Sequence, residues 1–362
     1  MTDVRSAPSP LPSSADLPGP GPALPPPFAI VPGAQVASVL HGREREVVAL
    51  VEETYRLHGA GATVNPPSYF LRFPDRPASR IIALPASLGG DAPVDGLKWI
   101  SSFPGNVSSG LPRASAVLIL NDPATGYPYA CLESSIISAA RTAASAAAAA
   151  ERLSRGRPRP RRAGFVGAGL IARYVHTYLA ATGWTFEEVG VHDLDRGSAE
   201  GFRGYLDRSG TPGHVTVHDD LESVVRGSDL LVFATVAGTP HVHDPAWFGH
   251  APVVLHVSLR DLAPAVLLEA TNVVDDVEHC LKAETSPHLT EQLTGSRDFL
   301  DGTLADVLDG RVEVPPDRTV VFSPFGLGVL DLAVGRFVHD AVRDSGGLRV
   351  VDDFFSELTR HG

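Results

Sequence analysis

The sequence predicts an α/β protein in two parts: a Rossmann-type domain on a parallel sheet, and an α+β domain for substrate binding and dimerisation. Three observations predict it. From Ala163 onward, short apolar segments of strand length alternate with helical stretches, the pattern of βαβ units. A G-x-G-x-x-A string, Gly167 to Ala172, sits between the first of those strands and its helix. Ahead of the alanine-rich stretch, strand-like runs are separated only by turn residues, which reads as a mostly antiparallel sheet.

A chain of 362 residues holds about two domains. Its formal charge of −12 argues against a nucleic-acid partner, which needs a basic footprint. All but two of the 30 basic residues are arginines, the exceptions being Lys98 and Lys282. Such a skew is ordinarily compositional, but it marks Lys98 and Lys282 as places where arginine did not serve. Two cysteines, Cys131 and Cys280, make neither a disulfide scaffold nor a cysteine-rich zinc site. No apolar run reaches the ~18 residues of a membrane span and no signal-peptide core is visible, so a cytoplasmic protein without membrane contact is expected.

The elements follow in order. Residues 1–27 hold nine prolines and cannot bury a core, so a disordered or extended tail is expected. "GREREVVALVEETYRLHG" has helical spacing, with Gly59 as its C-terminal cap. "SYFLRFP", "SRIIALPASLG", "GLKWISSFP" and "ASAVLILND" read as strands, and "DPATGYPYA" as a hairpin turn. "CLESSIISAARTAASAAAAAERLS" is a strong helix whose alanines let neighbours approach closely. "RGRPRPRR" reads as a solvated linker rather than a nucleic-acid patch. The parallel strands are "AGFVGAG", "EEVGVHD", "HVTVHD", "DLLVFATV", "PVVLHVSL", "TNVVDDV" and "TVVFSPFG". A last helix, "GLGVLDLAVGRFVHDAV", is long enough to cross back onto the first domain. The expected division is a substrate-binding and dimerisation domain of 28–140 with 327–362, and a dinucleotide domain of 141–326.

Gly167 permits the tight turn, Gly169 lets a pyrophosphate approach the helix N-terminus beside Leu170 and Ile171, and Ala172 keeps the helix close to its strand. Asp193, at the end of the next strand, is placed to accept ribose hydroxyls. An acid there repels a 2′-phosphate and favours NAD over NADP, while Arg196 either pairs with such a phosphate or stacks on adenine.

Several long strings, in the same order along the chain, carry a resemblance. "NPPSYFLRFP", "GLKWISSFPGN", "GLPRASAVLILNDPATGYPYACLESSIISAARTAASA", "LHVSLRDLAP" and "VFSPFGLGVLDLAVG" resemble the ornithine cyclodeaminase/μ-crystallin family from about Phe28 to the last helix. Within it, the strings are most similar to the branch that forms 2,3-diaminopropionate for siderophores and peptide natural products. The resemblance implies a homodimer acting on a small amino-acid substrate in the cleft between domains. It makes Arg72 and Arg141 carboxylate-binding residues, Lys98 a substrate-binding and proton-handling cation, and Asp261 the catalytic base. Thr142 is expected to reach the cofactor phosphates, and Thr235, Ser258 and Ser323, all at strand ends, to line the nicotinamide or adenosine pocket. Arg113 supplies a further cation for a substrate with three carboxylates. No metal is expected, since the pairs His241/His243 and His214/His218 lack metal-site company. An ornithine cyclodeaminase, an imine reductase and a non-catalytic nucleotide-binding protein are the competing readings.

Overall fold

The computed structural model describes residues 27–211 and 213–356. The proline-rich tail, apart from Pro27, lies outside the described residues, as do the last six positions. The first sheet begins with β1 (Phe28–Val31), followed by helices α1 (Gly33–Leu40) and α2 (Glu44–Gly59). Strands β2 (Thr63–Val64), β3 (Tyr69–Phe73), β4 (Arg76–Leu88), β5 (Val94–Ser102), β6 (Ala114–Asn121) and β7 (Pro128–Glu133) complete its body. Helix α3 (Ser135–Leu153) carries the chain to the second sheet.

There β8 (Arg162–Val166), α4 (Leu170–Ala181), β9 (Glu188–His192), α5 (Arg196–Arg208), β10 (His214–Val217), α6 (Leu221–Arg226) and β11 (Leu230–Phe233) form the first half. The second half is β12 (Val253–His256), α7 (Pro264–Leu268), β13 (Thr271–Val274), α8 (Val277–Cys280), α9 (Ser286–Thr294), β14 (Leu300–Thr303), α10 (Leu304–Leu308) and β15 (Val320–Ser323). The chain returns through α11 (Gly328–Asp344) and ends in β16 (Arg349–Val351).

The second sheet has strand order β10-β9-β8-β11-β12-β15-β13-β14, with every pairing parallel. Its central strands are buried on both faces, as a helix-covered parallel sheet requires. The first sheet runs β16-β1-β7-β6-β5-β4-β2 with β3 also on β4, antiparallel except where β1 meets β7.

Four local expectations need correcting. Cys131–Glu133 belong to β7, where Ala130 and Leu132 alternate inward, and the helix starts only at Ser135. Gly59 is the last helical residue of α2 rather than its cap; Gly61, at φ +73, makes the left-handed exit. β14 and β16 were not anticipated, being short edge strands without a periodic signal. The arginines of 155–162 are partly engaged rather than simply solvated. Arg157 donates to the carbonyls of Ala251, Pro315 and Arg318, Arg162 pairs with Asp229, and Arg159 lies over Trp184.

Two helices place the site. The alanine run of α3 is buried along almost its whole length, so α2, α4 and α11 can all pack against it. Helix α11 lies on the inner face of the first sheet so closely that a Cβ at Gly335 would sit 2.0 Å from Leu118 Cδ2. It covers only part of that face. Leu84, Ala86 and Leu88 are buried beneath it, whereas Phe70, Ile82 and Ile100 are only half-buried. This uncovered part faces the space between the domains.

Candidate active site

The glycine turn is built as a phosphate-binding turn should be. Gly167 has φ +88, and a Cβ there would meet the Ala234 carbonyl oxygen at 2.7 Å, so the turn packs directly on the end of β11. Gly169 differs: no atom lies within 4 Å of a Cβ built on it. The glycine therefore keeps open the space at the N-terminus of α4, a helix without a side-chain cap. Asp193 accepts from the Ala168 amide (2.8 Å) and the Asp195 amide (2.9 Å), bracing the turn at the edge where a ribose would lie.

Lys98, on the inner face of β5, is 2 % exposed. Its Nζ donates to Asp331 Oδ2 at 2.7 Å and to Ser138 Oγ at 3.4 Å. Arg141, on α3, donates through Nε to the other Asp331 oxygen at 3.3 Å. The outer nitrogens of Arg141 make no hydrogen bond among the described residues, and they lie against Gly326, where a Cβ would come within 2.6 Å of Nη1. Asp331 is fully buried in the first turn of α11, where the helix dipole favours a carboxylate. Two cations thus share one anion, and the group keeps an uncompensated positive charge beside an open guanidinium fork. Burial pushes the Lys98 ammonium down to about 8, with Asp331 opposing the shift and Arg141 adding to it.

Asp261 follows β12, with its side chain wholly buried. Its carboxylate accepts from Thr235 and Ser258 hydroxyls and lies 3.0 Å from His241 Nε2 and 3.3 Å from His256 Nε2, which also accepts the Asp261 amide at 3.2 Å. Burial alone would raise this carboxyl, but the hydrogen bonds outweigh it and hold it well below the usual carboxylate range. The residue expected as the catalytic base is thus a buried carboxylate ringed by hydrogen-bonding groups. The group that solvent reaches is His241, whose side chain is 37 % exposed. Thr235 and Ser258 are spent on Asp261, and Ser323 Oγ lies 3.1 Å from His256 Nδ1, so these three build the floor at the carboxyl ends of β11, β12 and β15.

Thr142, half-buried, donates to the Ser138 carbonyl at 2.7 Å. Arg72 and Arg113 are not part of the Lys98 group. Arg72 is exposed on β3 with its guanidinium over Phe70, and Arg113 donates to Ser102 Oγ at 2.7 Å. Lys282, for which the sequence offers no role, takes none of the bonds described here.

A family model described as the ornithine cyclodeaminase/mu-crystallin family matches residues 34–346. The chain belongs to that family. Among its relatives is an alanine dehydrogenase of Archaeoglobus fulgidus, 29 % identical over 82 % of this chain and 89 % of its own. Another is the N-((2S)-2-amino-2-carboxyethyl)-L-glutamate dehydrogenase of Staphylococcus aureus, 28 % identical over 72 % of this chain and 79 % of its own. The solved structure of CmnK superposes with a TM-score of 0.80 at 31 % identity, covering 91 % of this chain and 99 % of that one. An archaeal alanine dehydrogenase dimer with bound NAD gives a TM-score of 0.80 at 26 % identity, covering 90 % and 99 %.

Two groups in the structure carry no signal that the sequence reading isolates. Asp331 is the principal one. The signal was present, a lone carboxylate in the apolar string "GVLDLAVG", but helical periodicity absorbed it. The second is a polar junction between the domains. His58 on α2 and His279 on α8 both contact Asp276, at 3.0 and 2.9 Å, while Asn65 bonds His279 at 2.9 Å and receives the Val329 amide.

Burial tends to lower His279, but Asp276 overrides it and raises the imidazole. Hydrogen bonds from His279 and His58 hold Asp276 low against its own desolvation. A raised histidine stabilises the fold below its unfolded pKa and loses that contribution as pH rises through its folded value. The junction is therefore expected to weaken as pH rises above the ordinary histidine range. Thermal unfolding across that range checks this: Asp276→Asn should flatten the wild-type decline in Tm.

Proposed function

We propose that the protein is an NAD-dependent dehydrogenase that cleaves N-(2-amino-2-carboxyethyl)-L-glutamate oxidatively to 2-oxoglutarate and 2,3-diaminopropionate. The observation that carries this reading is the Lys98–Asp331–Arg141 group. Its residual positive charge and open guanidinium fork suit a substrate carboxylate, and its lysine titrates where a proton donor is useful. A relative bearing that activity, and the arginines Arg72 and Arg113 on the uncovered face, support the choice of a substrate with three carboxylates.

The glycine turn and the open space over Gly169 fit a dinucleotide pyrophosphate, and Asp193 favours NAD through its repulsion of a 2′-phosphate. When bound, NAD supplies the acceptor for the hydride leaving the glutamyl α-carbon. Arg141 holds the adjacent carboxylate. Water adds to the carbon of the C=N bond; Lys98 then protonates the nitrogen of the resulting carbinolamine and takes back the hydroxyl proton as the C–N bond breaks and the carbonyl of 2-oxoglutarate forms. His241 is the group reached by solvent and takes the proton from that water, while Asp261 fixes its ring. An apolar row on the outer face of the first sheet, Tyr69, Trp99 and Val117 in register across β3 to β6, supplies a surface for the homodimer.

NADH formation is measured with NAD and each of the glutamate adduct, L-alanine and L-ornithine. The expected order puts kcat/KM for the adduct at least about a hundredfold above the others; comparable or faster oxidation of alanine would replace the reading with an alanine dehydrogenase. The cofactor site has its own check. Gly169→Ala is expected to leave Tm nearly unchanged, since no atom lies within 4 Å of the added Cβ, yet to weaken NADH binding by about tenfold or more. Fluorescence titration of NADH reads it.

A further inference from the structure

The uncovered inner face of the first sheet carries more positive charge than the Lys98 group uses. Opposed residues of antiparallel strands share a face. Arg72 on β3 is opposite Arg80 on β4, and Arg80 is opposite Ser102 on β5, which in turn holds Arg113. Lys98 is opposite Leu84, four residues along from the Arg80–Ser102 pair on the same face, so the arginine row begins about 13 Å away along the strands. Between them lie Phe70, Ile82 and Ile100, an apolar stripe of methylene-binding character.

A fourth arginine belongs to the other domain. Arg260, one residue before Asp261, is anchored through Nη2 to the Ala283 carbonyl at 2.7 Å, while its buried Nε has no partner. None of Arg72, Arg80, Arg113 or Arg260 pairs with a carboxylate among the described residues, although most arginines elsewhere in this acidic chain do. Burial lowers Arg80, and the charges of Arg113, Arg260 and Arg72 lower it further, which places those three within electrostatic reach of Arg80. Cations held together without a counter-ion are costly unless an anion completes them.

We propose that Arg80, with Arg113 beside it and Arg260 contributed by the other domain, forms a distal carboxylate subsite that selects polycarboxylates over simple amino and oxo acids. This rests on the proposed function for its choice of substrate but not for its chemistry. A ligand that fills it must carry a carboxylate at the Lys98–Arg141 end, a short methylene run over Ile82 and Ile100, and a second carboxylate among the arginines. Arg80 and Arg260 are then specificity residues, and the apolar stripe sets the spacing between the charges.

The test compares 2-oxoglutarate with pyruvate, two 2-oxo acids that differ by a distal carboxylate arm. Binding of each to the NADH-loaded protein is measured by calorimetry. The wild type is expected to prefer 2-oxoglutarate. Arg80→Gln should weaken 2-oxoglutarate by roughly ten- to a hundredfold and leave pyruvate unchanged. Arg260→Gln should act in the same direction, and Arg80→Lys should restore part of the loss. Equal weakening of both acids, or no change in either, would overturn the subsite. If the adduct is not a substrate but the 2-oxoglutarate preference remains dependent on Arg80, the functional reading fails and the subsite stands.

Discussion

Lys98→Arg is expected to lower kcat with the glutamate adduct by about 10²- to 10⁴-fold, the range for loss of a positioned proton donor. The substitution keeps a cation opposite Asp331, so electrostatic support for a substrate carboxylate remains. What it removes is a group able to titrate. Burial brings Lys98 down to about 8, whereas a guanidinium stays charged above pH ~12. The expected signature is specific: the wild-type pH profile shows a group near 8, and the variant loses that limb while KM changes little. An activity loss with the limb retained would assign the titration elsewhere and reduce Lys98 to an electrostatic anchor.

Asp331→Asn is expected to have the largest effect on stability. It leaves Lys98 and Arg141 buried side by side without their shared carboxylate, and removing one partner of a buried ionic group costs about 3–5 kcal/mol. Denaturant unfolding measures it. Adding Lys98→Met to Asp331→Asn should recover a large part of the loss, because the double variant no longer buries an uncompensated ammonium. A loss under about 1 kcal/mol would mean that the group is hydrated rather than buried.

The parallel sheet and the glycine turn were legible because both are local. Strand, turn, helix and the following acid are contiguous in sequence, and the physics that links them is short-range. The long antiparallel strands β3 to β6 were legible for the same reason. Lys98 stood out through composition, as one of two lysines in 362 residues. Its partner did not, because the Lys98–Asp331 bond spans 233 positions and only the return of α11 across the first sheet creates it. Asp261 was legible as a residue but not as an environment. Its hydrogen-bond partners lie up to 26 positions away, and only the fold gathers them around a buried carboxylate. Arg80 was invisible in a chain so rich in arginine; only the register that sets it between Arg72 and Ser102 distinguishes it from a surface residue.

The central claim is oxidative cleavage of a polycarboxylate secondary amine, and product stoichiometry tests it most directly. The protein is incubated with NAD and the glutamate adduct, and NADH, 2-oxoglutarate and 2,3-diaminopropionate are quantified together. Equimolar formation of all three is the predicted result. NADH without 2-oxoglutarate, or no product from the adduct while alanine gives pyruvate or ornithine gives proline and ammonia, would contradict it.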